Sequence, residues 1–399
     1  MDFESLIIAA ADQGASDLHL EPSLPPAQRI RGKLKISGAT CEAKQLQSVA
    51  KHLVGESNWN QFLERGSFDF SRVIQGVRCR INIFRTVRGV GFAIRLFTSF
   101  EATLRRLNLH PELKSFIKPH HGLVIISGPT GSGKSSTLAA LIQEINLSEA
   151  RHIVTVEAPV EYRFRPRQSY IRQREVGRDT PSFEQALIDS LREDPDVLMV
   201  GEMREPETMR LTLNAAETGH LVFATVHSST TTEALQRVIA AFPSDAQSSI
   251  RSQLADCLIG VVAQRLRYRE TVGLRLPECE ILRANHPVKA HLRSGDLFKL
   301  QSAIETGAEH GMWTFDRYTR WLERQKEFYT PDQAARERAS WEPEDSNEEA
   351  ELTRPQTTTP SRPPQTPAPS IASPKKHGAI EIEPGVGELG RILRPDSED

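Results

Sequence analysis

Four short apolar runs mark the middle of the chain: LVIIS at 123–127, HIVTV at 152–156, DVLMVG at 196–201 and HLVFATV at 220–226. They alternate with helical stretches, the rhythm of a parallel sheet wrapped by helices. The amino-terminal quarter reads differently. Phe3–Gln13 has the spacing of a short amphipathic helix, while DLHL (17–20) and AQRIRGKLKIS (27–37) alternate polar and apolar residues as strands do. A helical stretch over 44–54 leads to SFDFSRVI (67–74) and then to VRCRINIFRTVRGVGFAIRLF (77–97), which alternates as a β-hairpin.

These patterns predict an amino-terminal α+β domain over 1–97, a linker over 98–110, an α/β domain over 111–329 and a tail over 330–399. TSFEATLRRLNLHPEL, at the junction, reads as linker plus helix, and no internal repeat is visible. The tail is rich in Pro, Thr, Ser and Glu and cannot bury enough apolar surface to offset chain entropy, so disorder is expected there. Its GAIEIE and LGRILR pieces have the character of a docking peptide, although a segment that simply dangles fits the composition too.

Charge and cysteines narrow the function. With 50 basic against 52 acidic residues, the net charge of −2 provides no field to draw the chain onto nucleic acid or an anionic membrane. Cys41, Cys79, Cys257 and Cys279 form no CxxC pair, which points away from zinc or a disulfide framework and toward the cytosol. The start, MDFESLIIAAADQG, carries acids where a signal peptide has bases, and no apolar run approaches the roughly 18 residues that span a bilayer. Any membrane role is therefore expected to run through a partner.

The chemistry begins at GPTGSGKSS, residues Gly128, Pro129, Thr130, Gly131, Ser132, Gly133, Lys134, Ser135 and Ser136. Its G-x-x-x-x-G-K-S spacing, behind a strand and ahead of a helix, lets backbone N–H groups form a nest for phosphate oxygens at the positive end of the helix. Lys134 would reach the β- and γ-phosphates of ATP, and Ser135 would offer its hydroxyl to Mg²⁺. A glycine-rich turn without a ligand is the blander reading, and the flanking strand and helix disfavour it. DVLMVGE places Glu202 after a buried strand, with Gly201 where many P-loop proteins carry an acidic metal ligand. A carboxylate there can take a proton from attacking water or hold the ion through water.

The loop, the EAPVEY box (157–162), the stretch from QREVGRD to DVLMVGE and TGHLVFATVHSSTTTEALQRVIAAFP follow one another in an order that resembles the type II/IV secretion ATPase superfamily, nearest its type IV pilus retraction ATPases. The similarity spans about Ser5 to Leu322 and includes GASDLHL, RINIFRTVRG and AIETGAEHGMWTFD. It implies a RecA-like P-loop core joined to a PAS-like amino-terminal domain, assembled as a homohexamer that hydrolyses MgATP to drive pilus disassembly. It also implies a cytoplasmic location at the inner membrane, an inner-membrane platform protein as partner, and a related motor ATPase as a further candidate partner. On matching positions Lys134 and Ser135 belong to Walker A, Glu202 to Walker B, Glu157 and Glu161 to the so-called Asp box, and His220 and His227 to the His box.

HLVFATVH sets a strand between the two histidines, and an imidazole beside a γ-phosphate can report its presence. By the same likeness Arg80, Arg88 and Arg95 of the hairpin, with Arg192 in LREDPD, are candidates to touch nucleotide. Arginines that merely solvate a sheet face are the other reading. The basic run RFRPRQSYIRQREVGR (163–178) reads as a ring interface or a solvated loop.

Two departures stand out. Ala158 replaces the acid usual after Glu157, and the Pro-rich tail has no counterpart in the compact retraction motors. The four-cysteine insert common in assembly and secretion ATPases is missing, which favours retraction. A secretion or assembly ATPase and a weakly active accessory ring subunit remain the alternatives.

Overall fold

A computed structural model describes residues 2–30, 32–97, 102–330 and 333. The expected tail apart from Thr330 and Gln333, and the first residues of the expected linker, 98–101, lie outside them. The amino-terminal part contains α1 (Phe3–Asp12), β1 (Ala15–Leu20), β2 (Ala27–Ile30), β3 (Lys33–Ile36), α2 (Ala43–Val54), α3 (Glu56–Arg65), β4 (Ser67–Ile74), β5 (Val77–Thr86) and β6 (Gly89–Phe97). Its strands form a six-stranded sheet in the order β3-β2-β1-β6-β5-β4. Alternate residues such as Ile81, Ile83 and Ile94 point inward to meet Ile7, Leu46 and Phe62 of the three helices.

The remainder comprises β7 (Gly122–Ser127), α4 (Lys134–Ser148), β8 (His152–Glu157), β9 (Tyr170–Glu175), α5 (Phe183–Ser190), β10 (Val197–Val200), α6 (Pro206–Glu217), β11 (Leu221–Val226), α7 (Thr231–Ala240) and α8 (Gln247–Cys257). It ends with β12 (Leu258–Arg269), β13 (Leu274–Arg283), α9 (His286–Ser294), α10 (Leu300–Thr306) and α11 (Phe315–Arg324). These strands form a seven-stranded sheet in the order β13-β12-β7-β11-β10-β8-β9. All neighbours run parallel except β12 and β13.

The apolar runs are explained by burial on both faces. Leu123 and Ile125 pack toward Met209, Leu213, Leu235 and Leu254 on one side. Val124 and Ile126 pack toward Ile142, Ile145, Tyr318 and Leu322 on the other. Parallel strands bring their carboxyl ends to one edge, where Ser127 lies beside Val226, Val200 beside Ala224 and Val156 beside Val200. The loops that leave the adjacent strands β7, β11, β10 and β8 at this edge are neighbours there.

The structure corrects three sequence expectations. The helix expected near the linker is a short 3₁₀ segment, Pro111–Ile117, that starts at a proline with His110 as its cap. The basic run is no plain loop: Tyr170–Glu175 is the sheet-edge strand β9, whose outer residues stay solvated. The parallel sheet also gains an antiparallel member, because β12 and β13 form a long hairpin.

Candidate nucleotide-binding site

Strand β7 delivers the glycine loop and α4 carries it away. Gly128, Gly131 and Gly133 have φ of 153°, 77° and 89°, the region that favours glycine. A Cβ at Gly128 would overlap Gln264 O and Ser132 Oγ, so the loop closes only around a bare Cα. Gln264 of β12 braces it from beneath: its Nε2 donates to Ser132 O at 2.7 Å while its Oε1 accepts from the Thr137 hydroxyl at 2.6 Å. Pro129, Thr130 and Gly131 form the exposed crest. The Ser132 hydroxyl is buried with no hydrogen-bond partner, an unmet polar group facing a loop built for anions.

Lys134 folds back over the loop, its Nζ donating to Gly128 O at 2.9 Å and Pro129 O at 3.1 Å. Burial pulls its pKa below the usual lysine value, opposed by the nearby charges of Glu202 and Glu161. Ser135 hydrogen-bonds to the Glu161 carboxylate, and Ser136 Oγ lies 2.7 Å from the Tyr162 hydroxyl. Burial raises the Glu161 pKa; the Ser135 bond and then Arg95, Arg80 and Lys134 pull against it. Glu157, at the end of β8, is buried, and desolvation lifts its carboxyl to about 7 although Thr155 donates to it at 2.7 Å and Gln173 at 3.2 Å. Ala158, which follows it, is exposed.

Glu202 leaves the end of β10. Its Oε1 meets Arg204 Nε at 2.6 Å and His227 Nε2 at 3.0 Å. Despite that carboxylate, burial and then the charge on Lys134 push the His227 pKa below the usual histidine value. The neutral ring, donating Nε2–H to Glu202, accounts for both observations. Gly201 is explained sterically: a Cβ there would sit 3.1 Å from Val156 O and 3.3 Å from Glu157 Cα. An open cleft of 360 Å³, lined by His227, Ser229, Glu233 and Arg237, borders this corner. A larger cavity of 440 Å³ lies elsewhere, between Leu109, Lys114 and Trp321, and none of the predicted site residues lines it.

The predicted residues divide into two sets. Lys134, Ser135, Glu157, Glu161, Glu202 and His227 gather at the carboxyl edge, and Arg80 and Arg95 of the amino-terminal sheet reach the field of Glu161. Arg80 is held by Asp69 at 2.6 Å and Arg95 by Asp17 at 3.1 Å. His220 stands apart. It precedes β11, beside Gly122, with Nδ1 2.9 Å from Ala215 O, at the opposite edge from His227 and roughly 20 Å away along the strand. Arg192 lies exposed in the loop that enters β10 at that same far edge. Arg88 is exposed at the tip of the β5–β6 hairpin, roughly 20 Å of strand beyond Arg80.

Sequence reading missed Gln264. Its signal was one uncharged polar residue inside the apolar run GVVAQRL, a position that demands internal hydrogen bonds.

The profile of the family described as type II/IV secretion system protein matches residues 3–286. The chain belongs to that family. Within it, the chain is 39% identical over 318 residues to the type IV pilus retraction ATPase PilT of Pseudomonas aeruginosa, an alignment covering 79% of this chain and 92% of the relative. It is 36% identical over 302 residues to a twitching motility protein of Neisseria gonorrhoeae, covering 75% and 81%. The crystal structure of the pilus retraction motor PilT with bound ADP superposes with a TM-score of 0.74 at 35% identity, covering 86% of this chain and 98% of that one. The fold is accordingly the α/β P-loop fold of this family.

Proposed function

We propose that the chain is an ATP-hydrolysing subunit of a homohexameric motor that drives type IV pilus retraction, as the names of its relatives suggest. The observation that carries this reading is the convergence of Lys134, the Ser135–Glu161 pair and the Glu202–His227 pair on a glycine loop with an unpartnered Ser132 hydroxyl. Loop N–H groups and Ser132 receive phosphate oxygens. Lys134 exchanges the Gly128 and Pro129 carbonyls for the β- and γ-phosphates.

The oxygen donors here, one hydroxyl and flanking carboxylates, suit Mg²⁺; among the described residues no cluster of three or more His, Cys, Asp or Glu would bind a metal alone. Ser135, with Glu202 through water, would hold the ion, which supplies charge neutralisation on the phosphates when bound. Glu202 orients the attacking water, and His227 and Arg204 fix the Glu202 rotamer. Glu157 and Glu161 shape the metal's surroundings, and Arg80 and Arg95 close over the phosphates from the amino-terminal sheet.

In this reading residues 1–97 form the PAS-like domain, 98–110 the linker and 111–329 the RecA-like domain. The ring works in the cytoplasm, docked to an inner-membrane platform protein. Among the described residues no helix is long and apolar enough to cross a membrane. Purified full-length chain with Mg²⁺ should hydrolyse ATP, and with a non-hydrolysable analogue light scattering should give a mass near six chains. A deletion strain should lose retraction and carry surplus surface pili. Absence of turnover in an assembled ring would sink the proposal.

Ala158 carries a second reading, a weakly active ring subunit that accompanies another motor, because the exposed position beside Glu157 lacks the expected acid. A wild type without turnover that Ala158→Asp fails to rescue supports this second reading; an active wild type removes it.

A further inference from the structure

Arg78 belongs to β5 of the six-stranded sheet, and Glu175 ends β9 of the seven-stranded one. Arg78 Nη2 and Glu175 Oε2 are 2.7 Å apart, with only 10% and 6% of the two side chains exposed. The pair also grips a single residue from both sides. Val160 N donates to Glu175 Oε2 at 3.1 Å, and Val160 O accepts from Arg78 Nε at 2.7 Å. Ser71, also on the amino-terminal sheet, donates to Glu175 and accepts from Arg78 Nη2 at 3.3 Å.

Val160 immediately precedes Glu161, whose carboxylate meets the Ser135 hydroxyl at the end of the glycine loop. On the other side, Glu157 pairs with Glu175 in the β8–β9 register. Glu157 and Glu161 are thus joined by a short loop whose last residue, Val160, is fastened to Arg78 of the other sheet.

A buried ion pair is an inefficient source of stability, since well-packed apolar residues of similar volume often serve as well. Apolar residues could not hold the Val160 N–H and C=O together. The guanidinium fork suits that task because it fixes two directions at once, which an ammonium does not. Its Nε and Nη2 are engaged by Val160, Ser71 and Glu175, so it has a different job from the phosphate-facing arginines.

Resting on the nucleotide-site reading above, we propose that Arg78 is a positioning residue: with Glu175 it transmits the placement of the amino-terminal sheet through Val160 to Glu161. Movement of one sheet against the other then moves Glu161 relative to Ser135, so that the site is fully formed only when the two sheets are correctly seated.

The test uses the full-length chain, with ATP turnover, KM for ATP, affinity for a fluorescent ADP analogue and thermal midpoint as readouts. Arg78→Lys keeps a charge beside Glu175 but loses the fork. It should lower kcat by about 10- to 100-fold while KM and ADP affinity stay within about threefold, the signature of an interaction that matters in the transition state. Arg78→Met combined with Glu175→Gln removes both charges and avoids an orphaned buried carboxylate, so it should fold. It should show a similar kcat loss, because both residues act through one peptide. Unchanged kcat in the double variant overturns the proposal, as does a parallel loss of kcat and ADP affinity, which would mark general collapse of the site. A wild-type chain that neither binds ADP nor hydrolyses ATP overturns instead the nucleotide-site reading beneath it.

Discussion

Gln264 Nε2 donates to the carbonyl of Ser132 across 2.7 Å, so a strand 132 residues downstream holds the glycine loop in shape. The contact is buried, and the other end of the amide accepts from Thr137 on the first turn of α4. Loop, helix start and β12 are therefore tied by one side chain.

Replacing Gln264 with Leu should leave both Ser132 O and the Thr137 hydroxyl without their partner. Displacement of a phosphate-binding loop by even an ångström can cost about 100-fold in rate. ATP turnover should fall by that order, with a weaker drop in ADP affinity, both read on the purified chain. Turnover within twofold of wild type would show that the brace is dispensable.

Lys134→Ala removes the charge that would meet the phosphates, and it also frees Pro129 O at the exposed crest and Gly128 O just beneath it. The fold should survive with its thermal midpoint nearly unchanged. Turnover should drop at least 10²-fold, the usual loss when one preorganised donor is removed from developing charge. Near wild-type hydrolysis would reject the assignment of this loop.

Much of this edge was legible in the sequence because parallel strands buried on both faces leave an uninterrupted apolar record, as in 123–127 and 221–226. Edge strand β9 left no such record: YIRQRE keeps one face in water, so its charges read as a loop. Helix α3, ESNWNQFLER, fully buries Phe62 alone in an otherwise polar segment, so it offers no apolar run to mark it. Contacts between distant segments were invisible for a different reason. Nothing local to Arg78 indicates a partner 97 residues away, and nothing local to Gln264 indicates Ser132. The two histidines looked alike because spacing along a strand says nothing about which sheet edge the chemistry occupies.

Glu157 makes the stability of the chain depend on pH. Its carboxyl titrates near 7 in the folded state against 4.5 ordinarily, so the folded chain holds this proton more tightly than the unfolded one. The sign follows from linkage: stability is highest below pH 4.5 for this group and is lost as pH rises toward 7, by about 3 kcal/mol in all. Glu157→Gln keeps an oxygen to accept from Thr155 and Gln173 and cannot ionise. The variant should be more stable than wild type at pH 8, with the difference shrinking toward pH 5. Thermal melts across that range check it, and parallel curves for the two proteins would remove Glu157 as the cause.

His227 and His220 should separate in function because the fold puts them at opposite ends of β11. His227 touches Glu202 at 3.0 Å, whereas His220 is tied to Ala215 O at 2.9 Å where the strand begins. His227→Ala frees the Glu202 carboxylate from one of its two holds on Oε1, and turnover should fall by about 10- to 100-fold. His220→Ala breaks a contact on the far side of the sheet and should leave affinity for ADP within about threefold of wild type. An effect of His220 on turnover would have to arrive from a neighbouring chain, since roughly 20 Å of strand separates it from its own site. Mixing His220→Ala chains with Lys134→Ala chains decides this. Recovery of turnover above that of either variant alone means that His220 serves a partner's site, and no recovery confines its role to the chain that carries it.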